Sequence, residues 1–254
     1  EALINRGLIK LTQKDKSGAL SDLETAHKLK PHIKQIWDLV INLSVELKQF
    51  EQAISFLGPM VQSDPNNEQH FSVLASCNHI MGDLDAAIDN YKHATKIKPD
   101  FAEAYCNRGI CLKDKGDLEA AIDSYKQAIK IKPDFAEAYN NMGNALKNKG
   151  DLEAAIDSFK QALKLKPNFA EAYNNIGIAL NDKGDLDASL DSYIQAIKIK
   201  PDYADPYYNM SAALTGATFT QPNVCLMEVM VLVLDQKAAC RPKYIAQAAI
   251  SLLK

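Results

Sequence analysis

The chain has 254 residues, 47% of them hydrophobic and 24% charged, with a net charge of -3. That is enough apolar material for one large core or a series of small ones, and no basic excess points to nucleic acid or an anionic membrane. Five cysteines (Cys77, Cys106, Cys111, Cys225 and Cys240) form no C-x-x-C pair, which reads as free thiols in a reducing, cytoplasmic setting.

Taken from the amino end, proline sets a ruler. Pro31, Pro65, Pro99, Pro133, Pro167 and Pro201 recur every 34 residues. A fixed period of this length marks a repeat architecture. It divides the chain into units at 1–33, 34–67, 68–101, 102–135, 136–169 and 170–203. The first unit keeps the beat through Gly7, Ala19 and Ala26, and the second through Trp37, Ala53 and Leu57. The third has Ala75 where later units have glycine, and Asn78 where an apolar residue is expected. The last three are near-copies of one another. The start at Glu1, without methionine, reads as a piece of a longer protein.

Each unit predicts two helices, giving an all-α fold, an α-solenoid. In 136–169 the first helix has Tyr139, Met142, Gly143 and Leu146 at repeat positions 4, 7, 8 and 11, which share one helical face. Lys149-Gly150-Asp151 forms the turn: glycine for its tightness, aspartate for the positive end of the next helix dipole. The second helix runs through Ala155, Phe159 and Ala162 and stops before Pro167. Equivalent turns are expected at Gly82, Gly116 and Gly184. Small residues at position 8 bring the two helices close, and stacking of neighbouring pairs supplies the core that one pair lacks. After 203 the beat fades. Residues 204–254 read as a partial seventh unit, then an apolar helix at 224–234 and an amphipathic one at 242–254, as a cap or a junction to a further domain.

These residues resemble the tetratricopeptide repeat family, whose pattern is an aromatic at 4, Leu-Gly at 7–8, Ala at 20, Phe or Tyr at 24, Ala at 27 and Pro at 32. The resemblance implies a right-handed superhelix of antiparallel helix pairs. It also implies a non-catalytic protein-interaction scaffold whose first helices line a concave groove. On a helical wheel, positions 2, 6, 9 and 13 lie opposite the core stripe. Position 6 is Asn107, Asn141, Asn175 and Asn209, flanked at position 2 by Glu103, Glu137, Glu171 and Asp205. Asn144 and Asn148 extend the polar face. An asparagine offers a donor and an acceptor, as does each peptide unit, so the ladder suits an extended peptide, and the flanking carboxylates suit basic residues on it. The alternative is polar filler copied by duplication. The ladder is similar to that of the peptide-binding repeats of O-GlcNAc transferases. A chaperone-type carboxylate clamp, which needs Lys at 2 and 5 and Arg at 6, is absent. In the second and third units Leu39, Val73 and Ile80 make the same face more apolar, read as divergence or a second binding zone.

Other chemistry is sparse. No nucleotide or hydrolase motif occurs, and no cofactor is expected. His27, His32, His70, His79 and His93 have no metal-ligand spacing and read mostly as surface or turn residues. A weaker resemblance links "TFTQPN" and "RPKYIAQAAISLLK" to the junction before a transferase domain in some bacterial repeat proteins. It implies an alternative role as the substrate-recruiting arm of a methyl-, sulfo- or glycosyltransferase, with catalysis beyond residue 254.

Overall fold

The computed structural model describes residues 1–30 and 33–214. Among them are thirteen helices and no strand: α1 (Ala2–Thr12), α2 (Lys16–Leu29), α3 (Lys34–Glu46), α4 (Phe50–Ser63), α5 (Glu68–Ile80), α6 (Leu84–Ile97), α7 (Ala102–Lys115), α8 (Leu118–Ile131), α9 (Ala136–Lys149), α10 (Leu152–Leu165), α11 (Ala170–Asp182), α12 (Leu186–Ile199) and α13 (Ala204–Leu214). The chain divides into two compact units, Glu1–Asp117 and a second beginning at Leu118.

In the first unit, α1–α2, α3–α4 and α5–α6 are helix pairs. Gly82, between α5 and α6, has φ +84°, and Gly116, which ends α7, has φ +93°. Glycine adopts this left-handed region without steric cost. The two earlier turns put Lys14 (φ 63°) and Lys48 (φ 59°) in the same slot. Asp15 and Asp83 cap α2 and α6 by accepting from the backbone N–H of Gly18 and Ala86. The slot before α4 holds Gln49, which makes no side-chain cap.

Two apolar clusters hold this unit. Leu20, Leu23, Ile36, Val40 and Leu43 form one; Ile41, Leu57, Met60, Leu74 and Cys77 form the other. The second explains the weak repeat match at 34–67. Ile41 stands at position 8 and Leu57 at position 24, so a medium residue on each helix replaces glycine facing an aromatic ring.

In the second unit, Gly150 (φ +93°) and Gly184 (φ +85°) make the turns. Asp151 and Asp185 accept from the backbone N–H of Ala154 and Ala188 to cap α10 and α12. Position 8 shows why glycine is favoured there. A Cβ on Gly143 would lie 2.5 Å from Cε1 of Phe159, and one on Gly177 would lie 2.5 Å from Cε1 of Tyr193. The rings press against the first helix at these glycines and are excluded from solvent (Phe159 0% and Tyr193 1% exposed). Ala138, Ala155, Ala162 and Ala172 are fully buried where one pair stacks on the next. A final cluster of Leu190, Tyr193, Ile194, Ile197, Tyr207, Met210 and Leu214 seats α13 on α12. The expected helices at 224–234 and 242–254 lie outside the described residues, as do Cys225, Cys240 and His32.

The wheel separates a core face from an open face, but the first helices are covered on more sides than that. Ala104, Ala138 and Ala172 at position 3 are fully buried, and so are Cys106, Asn140 and Asn174 at position 5, at 3%, 8% and 3% exposed.

Candidate functional site

In the second unit, α9 carries Glu137, Asn141, Asn144 and Asn148, α11 carries Glu171 and Asn175, and α13 carries Asp205 and Asn209. Asn141, Asn144, Asn175 and Asn209 are partly exposed; Glu137, Asn148 and Asp205 are exposed. The position-6 amides are not idle. Nδ2 of Asn175 donates to Oδ1 of Asn140 at 3.0 Å, and Nδ2 of Asn209 donates to Oδ1 of Asn174, also at 3.0 Å. Each bond joins the first helix of one pair to the first helix of the pair before it. It uses one N–H of the donor, leaving a second N–H and the carbonyl.

Asn140 and Asn174 were not singled out from the sequence. A signal was present, since position 5 is asparagine in two adjacent repeats. A helical wheel places that position at the edge of the open face, so a polar residue there reads as solvated. In the fold it is an internal acceptor. The Tyr203 hydroxyl interacts with both the Asn174 amide and the Asp205 carboxylate. Its pKa is pushed up to about 12, first by burial, then by Asp205 and Glu171; the Asn174 interaction opposes this.

The carboxylates at position 2 are also engaged. Glu137 pairs with Lys166 at 2.9 Å, and Glu171 with Lys200 at 3.5 Å. The hydrogen bond from Lys166 holds the Glu137 carboxyl below its ordinary range, against its partial burial. Lys166 and Lys200 also lie over the rings of Phe169 and Tyr203, 4.4 and 5.3 Å from their centroids. Two of the flanking carboxylates, Glu137 and Glu171, are therefore in surface ion pairs, with their charge balanced locally. A separate row lies at the turns, where Lys149 meets Glu119 at 2.6 Å and Lys183 meets Glu153 at 3.2 Å. Exposed pairs of this kind contribute only about 0–1 kcal/mol each.

In the first unit, α7 carries Glu103, Asn107 and Asp114. Asn107 interacts with the hydroxyl of Tyr91, which also hydrogen-bonds Ser76 Oγ at 2.7 Å. Burial pushes the Tyr91 pKa up to about 12. This rung thus serves a buried hydroxyl on α6, unlike Asn175 and Asn209. Leu39 and Val73 pack against the two apolar clusters, so of the expected apolar zone only Ile80, with its neighbour Met81, stands exposed.

Three histidines of the first unit are more engaged than surface residues. His27 packs edge-on against Trp37 and Phe56, at 5.0 and 5.3 Å between centroids. His70 hydrogen-bonds Asp38 at 3.2 Å and His79 hydrogen-bonds Asp114 at 2.9 Å. Cys77, Cys106 and Cys111 are buried and in no disulfide, and burial drives the Cys111 thiol up to about 12, far from a reactive thiolate. Among the described residues no cluster of His, Cys, Asp or Glu could hold a metal ion, and no helix is long and apolar enough to cross a membrane.

Antiparallel helix pairs recurring every 34 residues, with small residues at the helix crossings and amide rungs on the first helices, define a helical-repeat scaffold. The family model for the TPR repeat matches residues 79–114, 111–150, 143–181 and 177–215, together more than half of the chain. The chain belongs to the tetratricopeptide repeat family. A small glutamine-rich tetratricopeptide repeat-containing protein 2 of Mycosarcoma maydis is 35% identical over 71 residues, covering 28% of this chain. The match spans only 20% of that relative's length. The crystal structure of MamA is similar with a TM-score of 0.60 at 26% identity, over 64% of this chain and 95% of that one. YrrB, described as a TPR protein with an unusual peptide-binding site, shares the fold at a TM-score of 0.58 and 19% identity, over 72% of this chain and 95% of its own. A tetratricopeptide repeat protein from Parabacteroides merdae has a TM-score of 0.72 at 12% identity, over 100% of this chain and 98% of that one.

Proposed function

We propose that this protein is a non-catalytic interaction scaffold that holds an extended peptide along the first helices of its second unit, through the amides of Asn141, Asn175 and Asn209. The observation that carries this reading is the regular placement of these asparagines on successive first helices. At Asn175 and Asn209, one N–H is spent within the fold and a donor and an acceptor remain. That pair matches what each peptide unit presents. YrrB, which has the same fold, is described as having a peptide-binding site, and this supports peptide as the ligand class. The site reads main chain rather than side chains. A basic ligand residue near Glu137 or Glu171 must displace Lys166 or Lys200, so selectivity for basic peptides is weak.

The test is a peptide array followed by calorimetry on the parent and asparagine variants. The reference probe is an uncharged, capped peptide of Ala, Ser and Thr. A net hydrogen bond contributes about 0.5–1.5 kcal/mol, so one substitution weakens binding about two- to twelve-fold. Serine serves better than alanine at 175 and 209, because the buried oxygens of Asn140 and Asn174 then keep a possible donor. The combined variant Asn141→Ser, Asn175→Ser, Asn209→Ser should lose most of the affinity with its helical signal intact. Unchanged affinity in that variant, or no binding by the parent, overturns the reading.

A further inference from the structure

Resting on that peptide-binding reading, we propose that Asn140 and Asn174 are positioning residues: by accepting from Asn175 and Asn209 they fix both amides in one orientation, so that the site holds an extended chain in a single direction. The same hydrogen bond occurs twice, between residues 35 apart in sequence, and in both cases Nδ2 points toward the preceding repeat. The carbonyl of each rung therefore points away from it. Both acceptors are nearly excluded from solvent, at 8% and 3% exposed, so water is a poor substitute partner.

A flipped Asn209 would set its oxygen against the oxygen of Asn174. A flipped Asn175 would do the same to the oxygen of Asn140. An extended chain is directional: along one residue its N–H precedes its C=O. A rung with its donor on one side and its acceptor on the other matches that order in one direction only.

The experiment uses the same Ala/Ser/Thr peptide with a nitroxide at one end or the other, read by broadening of side-chain methyl signals on α9 and α13. In the parent, each label should broaden one end of the site. The variant Asn140→Leu, Asn174→Leu keeps volume but removes both acceptors. There, each label should broaden both ends to similar extents, with affinity several-fold lower. Asn140→Asp, Asn174→Asp restores acceptor oxygens and should restore the single direction. Should the double leucine variant fail to fold, Asn174→Leu alone tests the Asn209 rung and should scramble direction at the α13 end. A single direction retained in the double leucine variant, or in Asn174→Leu where that variant replaces it, makes the two bonds structural stitches only and overturns the inference while peptide binding stands. No binding by the parent overturns the peptide reading itself.

Discussion

At the residue scale, fold and site compete for the same small side chains. Gly143 and Gly177 exist so that Phe159 and Tyr193 can lie on the helix backbone. Replacing either by alanine improves intrinsic helix propensity by about 1 kcal/mol but drives a methyl into a ring with no free space, which costs about 1–3 kcal/mol. The first unit shows that alanine can be accommodated at position 8, since Ala75 stands there fully buried in a repeat whose position-24 ring, Tyr91, is also buried. Gly143→Ala and Gly177→Ala should therefore fold and melt cooperatively, with a net loss of about 1 kcal/mol in denaturant titration. A gain in stability would mean the rings move freely. Glycine at position 8 was readable as a close approach from the sequence alone. The role of Asn140 and Asn174 was not, because hydropathy gives a buried, hydrogen-bonded amide and a solvated one the same score. The pairing of Glu137 was hidden for a different reason: Lys166 lies 29 residues away and becomes a neighbour only when the second helix folds back.

At the element scale, the 34-residue period made the helix pairs and their turns legible. Proline stops, glycine turns and aspartate caps act within a few residues and need no tertiary knowledge. Gly82, Gly116, Gly150 and Gly184 all adopt the left-handed backbone expected of them. The earlier turns were harder to read, because Lys14 and Lys48 take that conformation without glycine. For a residue with a Cβ this region costs about 1–2 kcal/mol, partly offset by the freedom glycine loses on folding. Lys48→Gly should then stabilise the α3–α4 pair by about 0.5–1 kcal/mol, and Gly82→Ala should destabilise α5–α6 by a similar amount. Urea midpoints of the two variants against the parent check both signs. If Lys48→Gly lowers the midpoint, an interaction of the lysine side chain outweighs the backbone strain.

At the scale of the whole molecule, the two units differ in what acid can do to them. All five histidines precede residue 94, so the described part of the second unit has none to titrate. His27 packs between Trp37 and Phe56, and burial lowers its pKa below the ordinary value. Its protonation is therefore easier in the unfolded chain. The stability tied to the neutral ring is complete above about pH 6.5 and is lost as pH falls through and below that value. Asp22 acts lower. Held by Arg6 through two hydrogen bonds (2.6 and 2.8 Å) and by Lys10 at 2.9 Å, its carboxyl lies far below the usual range. Its contribution persists to about pH 4 and then declines. Glu24, raised by burial, runs the other way, since its protonation relieves a cost in the carboxylate range. The window from pH 7 to 5 thus isolates the contribution of His27 from those of Asp22 and Glu24. Hydrogen exchange corrected for intrinsic rates should show α2, α3 and α4 losing protection across that window while α9 to α12 keep theirs. His27→Phe retains the aromatic contact and should remove the pH slope from α2–α4. An unchanged slope in that variant would mean that His27 is not its origin. Loss of protection in α9 to α12 over the same window would show that the repeats melt as one cooperative array rather than by nearest-neighbour coupling.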